Sequence, residues 1–149
     1  MVCLPQTATF LCIGCGSFPW TLLALGSATQ WSCMGIDCDT DAVISARRLV
    51  QSYQLQDSIT ILHADARHFD MSAFDIISIS FGVSPKQDIL EHIVDSAKKN
   101  AHIILRSTWE VFHLVYGSEV IPPKYQIRDV YYRIDGIKTY LLHIDTKDK

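Results

Sequence analysis

The sequence contains no run approaching the roughly 20 uninterrupted apolar residues that a bilayer span requires. Its first residues also carry none of the positive charge that opens a secretion signal. These two absences predict a cytoplasmic chain that makes no membrane contact. Positive charge is short overall, since 13 Lys and Arg against 16 Asp and Glu leave a formal charge of −3 at pH 7. A chain with no net positive field has little to hold a polyanion, so nucleic acid is a disfavoured partner. No linker, internal repeat or low-complexity stretch interrupts the 149 residues, 48% of which are hydrophobic. One domain over residues 1–149 with a substantial core is expected.

Five cysteines are an odd number, which argues against a disulfide framework in a chain lacking a secretion signal. Cys12 and Cys15 have C-x-x-C spacing, and Cys33 and Cys38 follow at a distance compatible with a four-thiolate zinc site or a redox pair. Cys12, however, lies inside an apolar run that reads as a strand, while Cys15 belongs to the loop after it. A tetrahedral cluster would have to break that strand-turn-helix pattern, so buried or loop thiols and no metal are expected.

The most informative segment is that same strand and turn. Phe10-Leu11-Cys12-Ile13 runs into Gly14-Cys15-Gly16-Ser17, and Asp37 closes the next apolar run. The glycines allow backbone to approach a ligand closely, and an acid at the tip of the neighbouring strand can accept hydrogen bonds from ribose hydroxyls. A dinucleotide fingerprint needs a third small residue three places after Gly16, where this chain has Pro19. Without a pyrophosphate to wrap, the looser turn suits an adenosine ligand without phosphates, of which S-adenosylmethionine is one. The alternative is that Gly14 and Gly16 merely make a tight turn.

Further along, Trp20 to Leu25 reads as a short helix, Cys33 to Asp37 as a second strand, and Asp39-Thr40 as the cap of a helix through Ala42, Val43, Ala46, Leu49 and Val50. Ser58 to Leu62 and the continuously apolar Phe74 to Ile79 read as strands. An amphipathic helix over Asp88 to Lys99 leads into a fifth strand, Ala101 to Leu105. Tyr125 to Ile134 and Ile137 to Ile144 are two further strands, separated by Asp135-Gly136, a dipeptide suited to a tight hairpin. The fold class is therefore α/β, a seven-stranded, mostly parallel Rossmann-like sheet with a C-terminal antiparallel hairpin and helices on both faces.

That order of elements resembles the class I S-adenosylmethionine-dependent methyltransferase fold along almost the whole chain. The resemblance implies that the Gly14-Cys15-Gly16 turn lies under the methionine part of the cofactor and that Asp37 bonds both ribose hydroxyls. It also implies that Asp65 accepts from the adenine amino group, with the Ala66 backbone N–H near the ring. The alternative is that Asp37 and Asp65 are ordinary loop-end residues or helix caps, but the glycine turn and both acids in register are more telling than any one of them.

A narrower resemblance lies in two places. Gly14-Cys15-Gly16-Ser17-Phe18-Pro19-Trp20-Thr21 looks like the glycine loop of nicotianamine synthases, and Arg106-Ser107 followed by Tyr116 is similar to that family's Arg-Ser segment and tyrosine. The resemblance adds Arg106 to the cofactor residues and implies transfer of the 3-amino-3-carboxypropyl group to a small-molecule acceptor. Methyl transfer to a small molecule is the alternative. The match covers the Rossmann-like core alone: the family's helical N-terminal region has no counterpart before Thr7, which suggests a homodimer or a missing partner domain. Glu110 and Phe112 stand where the family has a glycine and a basic residue.

Candidate catalytic residues are Tyr116 and Glu110, with His68 a further possible base, although a histidine or tyrosine on an apolar helix is more often a core residue. After the fourth strand the chain reads Ser78-Ile79-Ser80-Phe81-Gly82-Val83-Ser84-Pro85. The Asn/Asp-Pro-Pro-aromatic motif used on exocyclic amines of bases is missing there, which disfavours base methylation. Ser80, Phe81 and Ser84 could shape a small-molecule pocket, or Gly82 and Pro85 could simply form a turn. A third possibility is a non-catalytic binding module, in which Tyr125, Arg128, Tyr131, Tyr132, Arg133 and Tyr140 form a stacking platform. Strand alternation would split that platform between two faces.

Overall fold

The computed structural model describes residues 6–108 and 121–145. Seven strands form one sheet in the order β3-β2-β1-β4-β5-β7-β6. They are β1 (Thr9–Ile13), β2 (Ser32–Asp37), β3 (Ile59–His63), β4 (Ile76–Ile79), β5 (His102–Thr108), β6 (Tyr125–Tyr132) and β7 (Ile137–Ile144). The first five run parallel, and β7 pairs antiparallel with both β5 and β6. Three helices are described: α1 (Trp20–Ala28), α2 (Thr40–Ser52) and α3 (Lys86–Ser96). The expected α/β sheet with its terminal hairpin is thus present.

Alternation along the strands divides the core into two layers. Phe10, Cys12, Cys33, Ile59 and Ile61 pack beneath Leu22 and Leu23 of α1 and Val43, Ala46 and Val50 of α2. Leu11, Ile13, Ile36, Ile77, Ile79, Ile103 and Leu105 point the other way, onto Ile89, Leu90 and Ile93 of α3. All four residues of β4 are buried, as befits a central strand covered on both faces. Boundaries shift where local chemistry outweighs the apolar pattern. β4 begins at Ile76, and just before it the Asp75 carboxylate accepts from the Thr9 N–H (2.9 Å), the Thr9 hydroxyl (2.8 Å) and Lys98 Nζ (2.6 Å) at the strand's mouth. α3 starts at Lys86, directly after Pro85, and ends at Ser96, where Ala97 turns extended. β5 runs on to Thr108 because β7 supplies partners that far.

Candidate functional site

The carboxyl ends of β1, β2 and β3 converge on the β1–α1 loop. Gly14 and Gly16 both adopt positive φ, 71° and 67°, a region that side chains enter only with strain. The Gly14 and Cys15 N–H groups donate to the Ile36 carbonyl at 2.9 and 3.1 Å, pinning the turn to the end of β2. A side chain at Gly16 would meet nothing within 4 Å, so the loop presents bare backbone to open space there. At Gly14 a Cβ would overlap the Val83 Cγ2 methyl, because the β4–α3 loop crosses directly over the turn. That crossing is anchored by the Ser80 N–H donating to the Ile13 carbonyl at 3.0 Å.

Asp37 ends β2 against the same turn. Its Oδ2 accepts from the Gly16 N–H at 2.8 Å and its Oδ1 from the Asp39 N–H at 3.0 Å. Asp39 in turn caps α2, accepting from the Asp41 and Ala42 N–H groups. An ionised carboxylate has about four acceptor positions, so Asp37 keeps capacity for further donors while it fixes the loop. Asp65 follows β3. It accepts from the Arg67 backbone N–H at 2.9 Å and from the guanidinium through Nε at 3.0 Å and Nη2 at 2.6 Å. These Arg67 hydrogen bonds hold its carboxyl at about 2, well below the usual range.

A cleft of about 440 Å³ joins these groups, lined by Gly14, Gly16, Asp37, Cys38, Asp65 and Ala66. Ile13, Ile36 and Ile89 add apolar wall, and Arg67 and residues 82–85 complete the rim. Five of the seven sequence-based cofactor residues therefore line one cleft at the position that open α/β sheets use for ligands. Cys15 lies buried in the turn beside it; burial, Cys12 and Asp37 push its thiol up to about 12, so it stays protonated. Burial likewise raises the Cys12 thiol, whereas Cys38 is exposed. Among the described residues no group of three or more His, Cys, Asp or Glu is arranged to hold a metal.

Arg106 is not in this cleft. It lies on the α1 side of the sheet, where Nη2 donates to Thr21 Oγ1 at 3.2 Å, and it lines a separate cavity of about 450 Å³ with Phe10, Trp31 and His102. Glu110, Phe112 and Tyr116 lie outside the described residues. His68 is exposed and does not line the cleft. Val83 and Arg67 are contributors that the sequence pattern did not single out. Arg67 had a local signal, since an Asp followed two residues later by a donor forms an Asx turn; Val83 depends on a loop crossing that no spacing reveals. In the hairpin, Tyr125 is buried and donates its hydroxyl to the Leu90 carbonyl, which removes it from any surface platform; Tyr131 and Tyr132 remain exposed.

No family model matches the sequence, and no curated protein matches it. Solved structures do match it in shape. MtNAS, a nicotianamine synthase solved with S-adenosylmethionine as a point mutant, superposes with a TM-score of 0.83 at 16% identity, over 93% of this chain and 55% of that one. An RNA methyltransferase from Salinibacter ruber in complex with S-adenosyl-L-homocysteine gives 0.76 at 13% identity, over 95% and 84%. The mitomycin 7-O-methyltransferase MmcR gives 0.75 at 15% identity, over 92% and 49%. The chain thus spans about half the length of the MtNAS and MmcR chains. Among the described residues no helix is long and apolar enough to cross a membrane. Strand order, cleft position and these superpositions together give the chain the fold of the class I S-adenosylmethionine-dependent methyltransferases.

Proposed function

We propose that the cleft binds S-adenosylmethionine and that the chain is the cofactor-binding core of a transferase acting on a small molecule. The observation that carries this is Asp37, which holds the Gly16 N–H and lines the same cleft as Asp65. The donor set fits an adenosine ligand: open space over Gly16, two acceptor carboxylates and apolar wall for a purine. Asp37 takes the ribose hydroxyls, Asp65 the adenine amino group, and the Ala66 backbone N–H a ring nitrogen. The Gly14-Cys15-Gly16 turn lies along the amino-acid portion. Arg106 acts from behind the turn, bracing Thr21 in the first turn of α1. Bound there, the cofactor supplies a sulfonium centre whose attached carbons are already activated toward a nucleophile. The protein's task is then to align an acceptor and to receive its proton, roles we assign to Glu110 and Tyr116.

Which group moves is tested by the spent cofactor. Aminocarboxypropyl transfer, supported by the resemblance of the glycine loop and the Arg106-Ser107 segment, releases 5′-methylthioadenosine. Methyl transfer is favoured by the superposition on two methyltransferases and releases S-adenosylhomocysteine. Incubating the protein with S-adenosylmethionine and cell extract, then identifying the nucleoside by mass spectrometry, separates them. Protein-dependent methylthioadenosine is expected; S-adenosylhomocysteine alone would overturn that choice. A wild-type protein that binds neither S-adenosylmethionine nor S-adenosylhomocysteine in calorimetry would overturn the cofactor assignment itself.

A further inference from the structure

We infer that Arg67 is a positioning residue which locks Asp65 as an acceptor and thereby sets the preference for adenine over a 6-oxo purine; this rests on the cofactor site proposed above. Asp65 is two-fifths exposed at the mouth of the cleft, and a free carboxylate there would sample several rotamers. Three donors of one residue restrict it. The Arg67 backbone N–H fixes Oδ1, while Nε and Nη2 clamp both oxygens side by side. The pair is built within one turn of chain and requires no distant partner.

The chemical consequence is selectivity. A fixed, ionised carboxylate can receive the 6-amino group of adenine and repels the 6-oxo group of hypoxanthine. A carboxylate that is free to rotate loses part of that discrimination, because it can turn away from the oxo group into solvent at little cost. Recognition of a donor by an oriented acceptor is the kind of contact that discriminates against an analogue lacking that donor. Sequence placed an acid here; only the guanidinium clamp makes it a selective one.

The test is calorimetry on the full chain with two probes, S-adenosylhomocysteine and its 6-oxo analogue S-inosylhomocysteine. Wild type should prefer the adenine compound. Arg67→Ala should reduce the ratio of the two affinities by about tenfold, the scale of one charge-assisted hydrogen bond. Arg67→Lys, which keeps the charge but not the fork, should restore part of it. Arg67 is exposed and its pair with Asp65 is screened by solvent, so both variants should fold, with at most a small drop in melting temperature. An unchanged ratio in Arg67→Ala, or equal weakening of both probes, overturns the positioning role. If wild type binds neither probe, the cofactor site fails, and with it the basis of this inference.

Discussion

Two glycines in one turn should respond differently to the same substitution, and the difference tests the geometry of the cleft. Replacing either Gly14 or Gly16 by alanine puts a Cβ on a residue at φ near 70°, which costs about 1–2 kcal/mol. At Gly16 nothing lies within 4 Å of the new methyl, so that is the whole cost. At Gly14 the methyl overlaps Val83 Cγ2, and Val is stiff about χ1, so the β4–α3 loop must shift. Overpacking of this kind adds about 1–3 kcal/mol. Gly14→Ala should thus lose about 2–5 kcal/mol in urea unfolding, against about 1–2 for Gly16→Ala. Val83 is half-buried, and Val83→Ala alone should cost about 1 kcal/mol. In the double variant Gly14→Ala/Val83→Ala the overlap disappears, so the pair should be more stable than the sum of its parts by about 1–3 kcal/mol. Equal losses at Gly14 and Gly16, or a cycle that sums to zero, would refute the crossing of loop over turn.

Three further expectations follow from other parts of the molecule. Asp37→Ala removes the acceptor of the Gly16 N–H and, in the proposed site, of the ribose hydroxyls; calorimetry should show S-adenosylhomocysteine binding weakened by about 1.5–3 kcal/mol, and unchanged affinity would remove Asp37 from the site. Asp75 is held at about 2 by Lys98 and by Thr9, so its folded pKa lies below its unfolded value near 3.8. Its contribution is therefore present above pH 4 and lost as pH falls toward 2. With the Asp75 side chain 41% exposed, solvent screening reduces it to about 1 kcal/mol. The stability gap between wild type and Asp75→Asn, followed by acid titration in urea, should close over that window and not above it. Brief treatment of the native protein with iodoacetamide should label Cys38 ahead of Cys12, Cys15 and Cys33, as peptide mass mapping would report, because Cys38 is exposed while burial keeps the other three protonated.

By itself the sequence determined the class of fold and the location of the cleft. Alternating apolar strands and amphipathic helices carry their period locally, and the Asp135-Gly136 turn announces the hairpin without reference to anything distant. That Gly14, Gly16, Asp37 and Asp65 share one cleft was legible because the two glycines follow β1, Asp37 ends β2 and Asp65 follows β3, and parallel order brings these strand ends together. Tertiary structure decided what depends on segments far apart in the chain. Arg106 looked like a companion of the glycine loop, yet strand alternation in β5 turns it to the α1 side, onto Thr21. Tyr125 looked like a surface aromatic, yet the antiparallel return of the hairpin buries it against α3. Val83 carries no motif at all; it reaches Gly14 only because β4 inserts beside β1, out of sequence order, and its loop then has to cross the turn. Side-chain period and turn chemistry are properties of neighbouring residues, whereas which face a strand end presents, and what crosses above it, are settled only when the sheet closes on its helices.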